Sequence, residues 1–287
     1  MNRREAMKSL AVLAAAGTLP GVPSAFAAAA KYGLKQSACL WCYNGFMKKN
    51  NISLDQFCEA VAKIGVKSLE LTGPSQWEVM KKYGLSCAML SAPMGITRGF
   101  NHTKYHEELI VKTKACVDEA VSWGFKNVIC MSGNCEGMGK EEGMENCVKG
   151  LKEVIPYAEK KGIILCMELL NSHGHKDYMA DSTAWCVELT HKLDSPSFKI
   201  LYDIFHAREM GEDPIKDIRE HHDCWGHYHT GGWPGRAEID LASQELDYAK
   251  IMREIAETGY QGWIGQEFVP RRDGLKSLTE AFAICDV

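Results

Sequence analysis

The sequence predicts an α/β protein folded as a single (β/α)8 TIM barrel. Eight short apolar runs, rich in β-branched residues or Cys, recur near 36–43, 66–72, 85–92, 126–132, 163–170, 198–205, 224–230 and 262–269. Amphipathic stretches lie between them, the alternation expected of parallel βαβ units. No G-x-G-x-x-G follows the first strand, which removes the commonest reason to prefer an open doubly wound sheet.

Residues 1–28 are expected to be a signal peptide of the twin-arginine type. Arg3-Arg4 is followed by an apolar run from Leu10 to Leu19, by Pro20, Gly21 and Pro23, and by the small-residue site Ala25-Phe26-Ala27. A charged start, a short apolar core and a cleavage site make a secretory signal, and the paired arginines select the twin-arginine route. The expected location is therefore periplasmic, or otherwise exported. The apolar run is short and rich in Ala and Gly for a bilayer span, and no longer one follows, so no stable membrane span is expected in the mature chain.

The remaining residues, 29–287, should form one barrel domain, since no low-complexity linker interrupts them. Without Arg3, Arg4, Lys8 and Glu5 they carry 30 basic and 36 acidic side chains, a net charge of −6 with neutral His. That sign argues against a nucleic-acid partner, which needs a concentrated positive face. It leaves a small polar molecule, a sugar or keto acid, as the expected substrate, with homo-oligomerisation left open.

Twelve cysteines suggest disulfides at first sight. Their places argue otherwise. Cys39, Cys87, Cys130 and Cys166 lie in strand-like runs and Cys58, Cys116, Cys147 and Cys186 in helix-like ones, where the thiol acts as a small hydrophobe. Cys39 and Cys42 form a C-x-x-C with no second pair at zinc-finger spacing.

Among the helices, Ser53 to Gly65 combines a Ser cap, an apolar stripe and a closing Gly. Glu142 to Lys161, closed by Gly162, reads as one helix. Asp247 to Gly259 is another, with Tyr248, Ile251, Met252 and Ile255 as its stripe.

Catalytic groups of such a barrel sit at the C-terminal ends of the strands. Strands five to eight end in Cys166-Met-Glu168, Leu201-Tyr-Asp203, Gly226-His-Tyr-His229 and Trp263-Ile-Gly-Gln-Glu267. Each places a carboxylate or imidazole inside an apolar run, costly unless it is paired or metal-bound. Glu168, Asp203, His229 and Glu267 at similar heights make a set of three carboxylates and one imidazole, which suits one divalent ion such as Mg²⁺ or Mn²⁺. His227, two residues before His229, shares its face and is expected to be a hydrogen-bonded core residue. His206, three residues after Asp203, reaches the same site only if the strand ends between them. His106 is a candidate for the mouth from the loop after strand three.

Met167-Glu-Leu-Leu-Asn171, Leu201-Tyr-Asp-Ile-Phe-His206, His229-Thr-Gly-Gly-Trp-Pro-Gly-Arg236 and Gly265-Gln-Glu-Phe268 together resemble the signatures of xylose isomerase-like barrel proteins. Within that superfamily the sequence is most similar to the hydroxypyruvate isomerase group, relatives of the ketose 3-epimerases. Gly95-Ile-Thr97 and Ser132-Gly-Asn134 extend the likeness over nearly the whole mature chain. The resemblance implies that Glu168, Asp203, His229 and Glu267 hold a metal and that Glu168 and Glu267 transfer protons. It implies that His206 and Arg236 hold substrate oxygens; for Arg236 the alternative is a surface pair with Glu238. The implied activity is metal-dependent isomerisation or epimerisation of an α-hydroxy carbonyl compound through an enediolate. Two departures leave the substrate open. His229 stands where hydroxypyruvate isomerases often carry Gln, and no Gly-Thr-Gly precedes Glu238-Ile-Asp240. A 3-keto-glycoside lyase, a barrel-type endonuclease and a non-catalytic sugar-binding barrel are the alternatives, the endonuclease disfavoured by the acidic charge.

Overall fold

The computed structural model describes residues 32–91 and 93–287, so the expected signal at 1–28 lies outside the described residues. Eight strands coincide with the eight apolar runs: β1 (Lys35–Cys39), β2 (Ser68–Glu70), β3 (Ser86–Cys87), β4 (Asn127–Cys130), β5 (Ile164–Glu168), β6 (Phe198–Asp203), β7 (Trp225–Thr230) and β8 (Trp263–Gln266). They form one parallel sheet in the order β3-β2-β1-β8-β7-β6-β5-β4. The two ends of that sheet meet through Leu90. Its amide donates to the Asn127 carbonyl (3.1 Å), and its own carbonyl accepts from the Ile129 amide (3.2 Å). The Asn127 side chain adds a bond to the Ala88 carbonyl at 3.0 Å. The fold is therefore the expected single (β/α)8 TIM barrel.

Helices α1 (Asn44–Asn50), α2 (Leu54–Ile64), α3 (Pro74–Lys82), α4 (His106–Trp123), α5 (Lys140–Leu151) and α6 (Ile155–Lys161) surround the first half of the barrel. Helices α7 (Thr183–Leu193), α8 (Ile204–Glu209), α9 (Pro214–His221), α10 (Tyr248–Glu257) and α11 (Gly274–Cys285) surround the second. Helix α2 starts where its sequence says it should. Ser53 Oγ accepts from the Gln56 amide (3.2 Å) while Gln56 Oε1 accepts from the Ser53 amide (2.9 Å), which satisfies two donors that a helix start leaves open. Gly65 closes it at φ 104°, a conformation that costs a residue without Cβ little. Phe57, Cys58 and Val61 are the buried stripe.

The single helix expected from Glu142 to Lys161 is two, broken at residues 152–154. Pro156 has no amide hydrogen to donate to a continuing helix, and it sits in the first turn of α6, where none is needed.

Two cores result. A large one lies between the strands and the helices, and a small one fills the barrel interior with Met89, Ile129, Met131, Cys166 and Leu201. Residues two further along β5 and β6 from Cys166 and Leu201 are Glu168 and Asp203. The two-residue period of a strand thus sets the polar groups directly above an apolar floor.

Candidate active site

Glu168 is the last residue of β5, Asp203 the last of β6, His229 the last but one of β7, and Glu267 follows β8 directly. All four are buried, at 6%, 0%, 0% and 4% exposure. One donor atom from each lies within 4.8 Å of the others. The four groups singled out in the sequence therefore converge on one point at the C-terminal mouth.

Strand β6 ends where the spacing of Asp203 and His206 requires. Asp203 caps α8, its Oδ1 accepting from the His206 amide at 2.9 Å. The turn brings His206 Nε2 to 4.0 Å from Asp203 Oδ2. The backbone amide of Asn171 (3.2 Å) and its side-chain nitrogen (2.6 Å) both face His206 Nδ1. A nitrogen met by two donors is an acceptor, so the ring proton belongs on Nε2. Burial holds the His206 pKa well below its usual value, with Arg236 adding to the effect, so a neutral imidazole presents an N–H donor to the site.

Arg236 reaches the same point from the loop after β7. Gly232 pairs with Ala237, its amide donating to the Ala237 carbonyl at 2.9 Å, and folds that loop back on itself. A Cβ on Gly232 would stand 2.2 Å from the Glu238 carbonyl oxygen, so the close approach requires glycine. Arg236 Nη2 donates to Asp203 Oδ2 (2.6 Å) and to Glu267 Oε2, and its guanidinium lies over the Phe205 ring, 4.9 Å from the centroid. Glu238 is not its partner. The Glu238 carboxylate instead accepts from the Arg271 and Arg272 amides (2.9 Å each) and from Ser277 Oγ (3.0 Å), tying down the loop after β8.

His229 joins the cluster through Nδ1. That atom is 2.6 Å from Glu267 Oε2, 3.7 Å from Glu168 Oε1 and 3.9 Å from Asp203 Oδ2. It is buried without a well-directed hydrogen bond to any of them. A buried ring nitrogen aimed between three carboxylates is the donor set of a divalent-cation site, so these residues fit one such ion.

Charge is concentrated here. Burial pushes Asp203 up to about 7 against the pull of Arg236. Burial would also raise Glu267, but His229 and Arg236 outweigh it and hold that carboxylate well below its usual range. The reverse holds for His229: burial disfavours its cation, and Glu267 and Glu70 more than offset that, keeping its pKa high.

Of the other histidines, His227 is fully buried beside His229 with ring centroids 5.1 Å apart, as its spacing required. The hydrogen bonding expected of it is not met: Nε2 stands 2.8 Å from Glu70 Oε2, and neither ring nitrogen makes a well-directed hydrogen bond. His106 opens α4 and spends Nε2 on the Phe100 carbonyl (2.8 Å). Three site residues escaped the sequence reading. Trp41 donates from Nε1 to Glu267 Oε1 at 2.7 Å, Asn171 orients His206, and Glu70 of β2 lies behind His229, its Oε2 3.1 Å from Nε2. Glu70 carries the signal used on strands five to eight, a carboxylate in an apolar run. Trp41 and Asn171 carry no such signal, because their roles come from loops that only the closed barrel brings together.

A family model described as xylose isomerase-like TIM barrel matches residues 58–284. The chain is 25% identical over 240 residues to the 2-oxo-tetronate isomerase of Haemophilus influenzae, which spans 78% of this chain and 91% of that protein. It is also 25% identical over 166 residues to the hydroxypyruvate isomerase of Escherichia coli K12, spanning 58% of this chain and 64% of that one. Among solved structures, the AP endonuclease, family 2, of Brucella melitensis superposes with a TM-score of 0.75 at 20% identity, over 85% of this chain and 97% of that one, a likeness of fold. With the match to the family model running from within α2 to within α11, and curated isomerases as its relatives, this chain is an isomerase that belongs to the xylose isomerase-like TIM barrel family.

Proposed function

We propose that this isomerase moves a carbonyl between adjacent carbons of a small α-hydroxy keto acid of the hydroxypyruvate or 2-oxo-tetronate class, using one divalent ion held by Glu168, Asp203, His229 and Glu267. The observation that carries the reading is the convergence of those four buried groups on one point. The names of the curated relatives supply the substrate class. When bound, such an ion supplies Lewis-acid polarisation of the substrate carbonyl.

The chain's own groups account for the rest. Among the described residues no hydrogen bond reaches the carboxylate of Glu168, whereas Glu267 is held at Oε1 by Trp41 and at Oε2 by Arg236. Glu168 therefore has the free lone pairs of a base and removes the proton from the carbon between the two oxygens, giving an enediolate. Glu168 then delivers that proton to the neighbouring carbon, while Glu267, held as an ionised acceptor by His229 and Arg236, relays the hydroxyl proton from one substrate oxygen to the other. The Nε2–H of His206 donates to a substrate oxygen, and Nη1 of Arg236, buried without a partner while Nη2 serves Asp203 and Glu267, is the donor left to meet a substrate carboxylate. Positioned proton transfer of this kind contributes roughly 10²–10⁴-fold.

The test is an assay of chelated and then Mg²⁺- or Mn²⁺-reloaded protein against hydroxypyruvate, 2-oxo-tetronate, neutral ketoses and a 3-keto-glycoside. Turnover of the keto acids restored by metal is expected. Full activity after chelation sinks the metal, and elimination from the glycoside in place of isomerisation selects the lyase. We propose further that the chain is exported by the twin-arginine route, on the strength of Arg3-Arg4 and the apolar run that follows. Replacing both arginines with lysine should retain the precursor in the cytoplasm; unimpaired export of that variant removes the idea.

A further inference from the structure

Glu70 of β2 is a fully buried carboxylate inside the barrel that takes no part in the proposed proton transfers. Its surroundings are built with care. Oε2 lies 3.1 Å from Nε2 of His229 and 2.8 Å from Nε2 of His227, and Oε1 accepts from Ser37 Oγ. The space it occupies depends on β8. A Cβ at Gly265 would stand 2.2 Å from Glu70 Oε1 and 2.7 Å from His229 Cδ2, so a side chain there would displace both groups.

An imidazole has two nitrogens, and the hydrogen bond made by one decides what the other can do. A carboxylate at hydrogen-bond distance from Nε2 keeps a proton on that nitrogen, because an ionised carboxylate only accepts. In the neutral ring, the form that binds a cation, the lone pair then belongs to Nδ1, the atom that faces Glu168, Asp203 and Glu267. We infer that Glu70 is a positioning residue that fixes His229 with Nε2–H turned away from the site, so that Nδ1 alone is presented as a ligand, and that Gly265 exists to make room for this contact. The inference rests on the proposed function only in taking Nδ1 as a metal ligand.

Histidine-labelled protein tests it by nitrogen NMR, with the His229 signal assigned by comparison with His229→Gln. In the wild-type protein Nε2 of His229 should carry a slowly exchanging proton with or without Mg²⁺, and only Nδ1 should respond to the ion. Glu70→Met keeps the length and removes the acceptor. It should speed exchange of that proton and raise the Mn²⁺ dissociation constant, read from the free-ion EPR signal, by about 10–100-fold. Glu70→Gln restores an acceptor and should recover most of both properties. A wild-type His229 whose Nε2 lacks the proton or takes the metal overturns the inference, and that measurement needs no variant to fold. A folded Glu70→Met protein with unchanged exchange and unchanged Mn²⁺ affinity overturns it too. If the Nε2 proton behaves as expected but neither ion perturbs His229, the positioning role stands and the metal reading falls.

Discussion

Glu168 and Glu267 are the same side chain in unlike surroundings, and the difference separates their duties. Trp41, Arg236 and His229 crowd the Glu267 carboxylate, while that of Glu168 meets His229 only at 3.7 Å. Glu168→Gln should therefore lower exchange of the substrate α-proton with deuterated solvent by about 10²–10⁴-fold, with much of the metal occupancy retained. Glu267→Gln sets an amide N–H against donors on every side, so metal occupancy itself should fall. Metal analysis alongside the exchange assay separates the two, and near-normal exchange by metal-loaded Glu168→Gln would reassign the base. At this scale the sequence showed four of the converging groups because each is a charge or an imidazole in an apolar run, a local anomaly. It did not show what Arg236 touches. That contact depends on a loop folded back through Gly232 and on a φ of 51° at Arg236 itself, neither of which a spacing reveals.

Elements were legible where start and stop chemistry is local. Ser53 and Gly65 mark the ends of α2, and the helix begins and ends there. Losing the Ser53 hydroxyl should cost about 1 kcal/mol, which lowers the melting temperature by roughly 2–4 °C in a domain of this size. Thermal unfolding of Ser53→Ala should show that shift with turnover unchanged, because the cap lies on the outer layer; an unshifted melt would mean the capping box contributes nothing net. The reading failed between α5 and α6, where apolar periodicity continues through residues 152–154 and masks the break that Pro156 marks. Periodicity reports which face is buried. It does not report whether the hydrogen-bond ladder beneath is continuous. The end of β6 is the converse case: Asp203 serves at once as last strand residue, helix cap and member of the site, and that boundary is what brings His206 to the cluster.

For the whole molecule, the count of eight strands pointed to the barrel only together with the charged groups at the strand ends and the missing G-x-G-x-x-G, since a parallel sheet of that size can also stay open. Here the Leu90 bridge to β4 closes it. Closure also explains the cysteines. All twelve are free, and ten of them are buried in the two cores or beneath the site. Burial pushes the Cys39, Cys42, Cys130 and Cys147 thiols far above their ordinary range, and raises Cys87, Cys166 and Cys285 to about 12 each. The thiolate is the reactive form, so these groups should be inert in the native barrel despite their number. Cys116 and Cys135 are the partly exposed pair. Titration of native protein with an aromatic disulfide reagent at pH 8 should label those two first. The other ten should follow only at the rate of unfolding, and all twelve should react in denaturant. Rapid native labelling of Cys39 or Cys42 would show that the mouth opens enough to expose the floor beside His229. Fewer than twelve thiols in denaturant without reductant would show disulfides, and with them a barrel whose stability does not rest on burial alone.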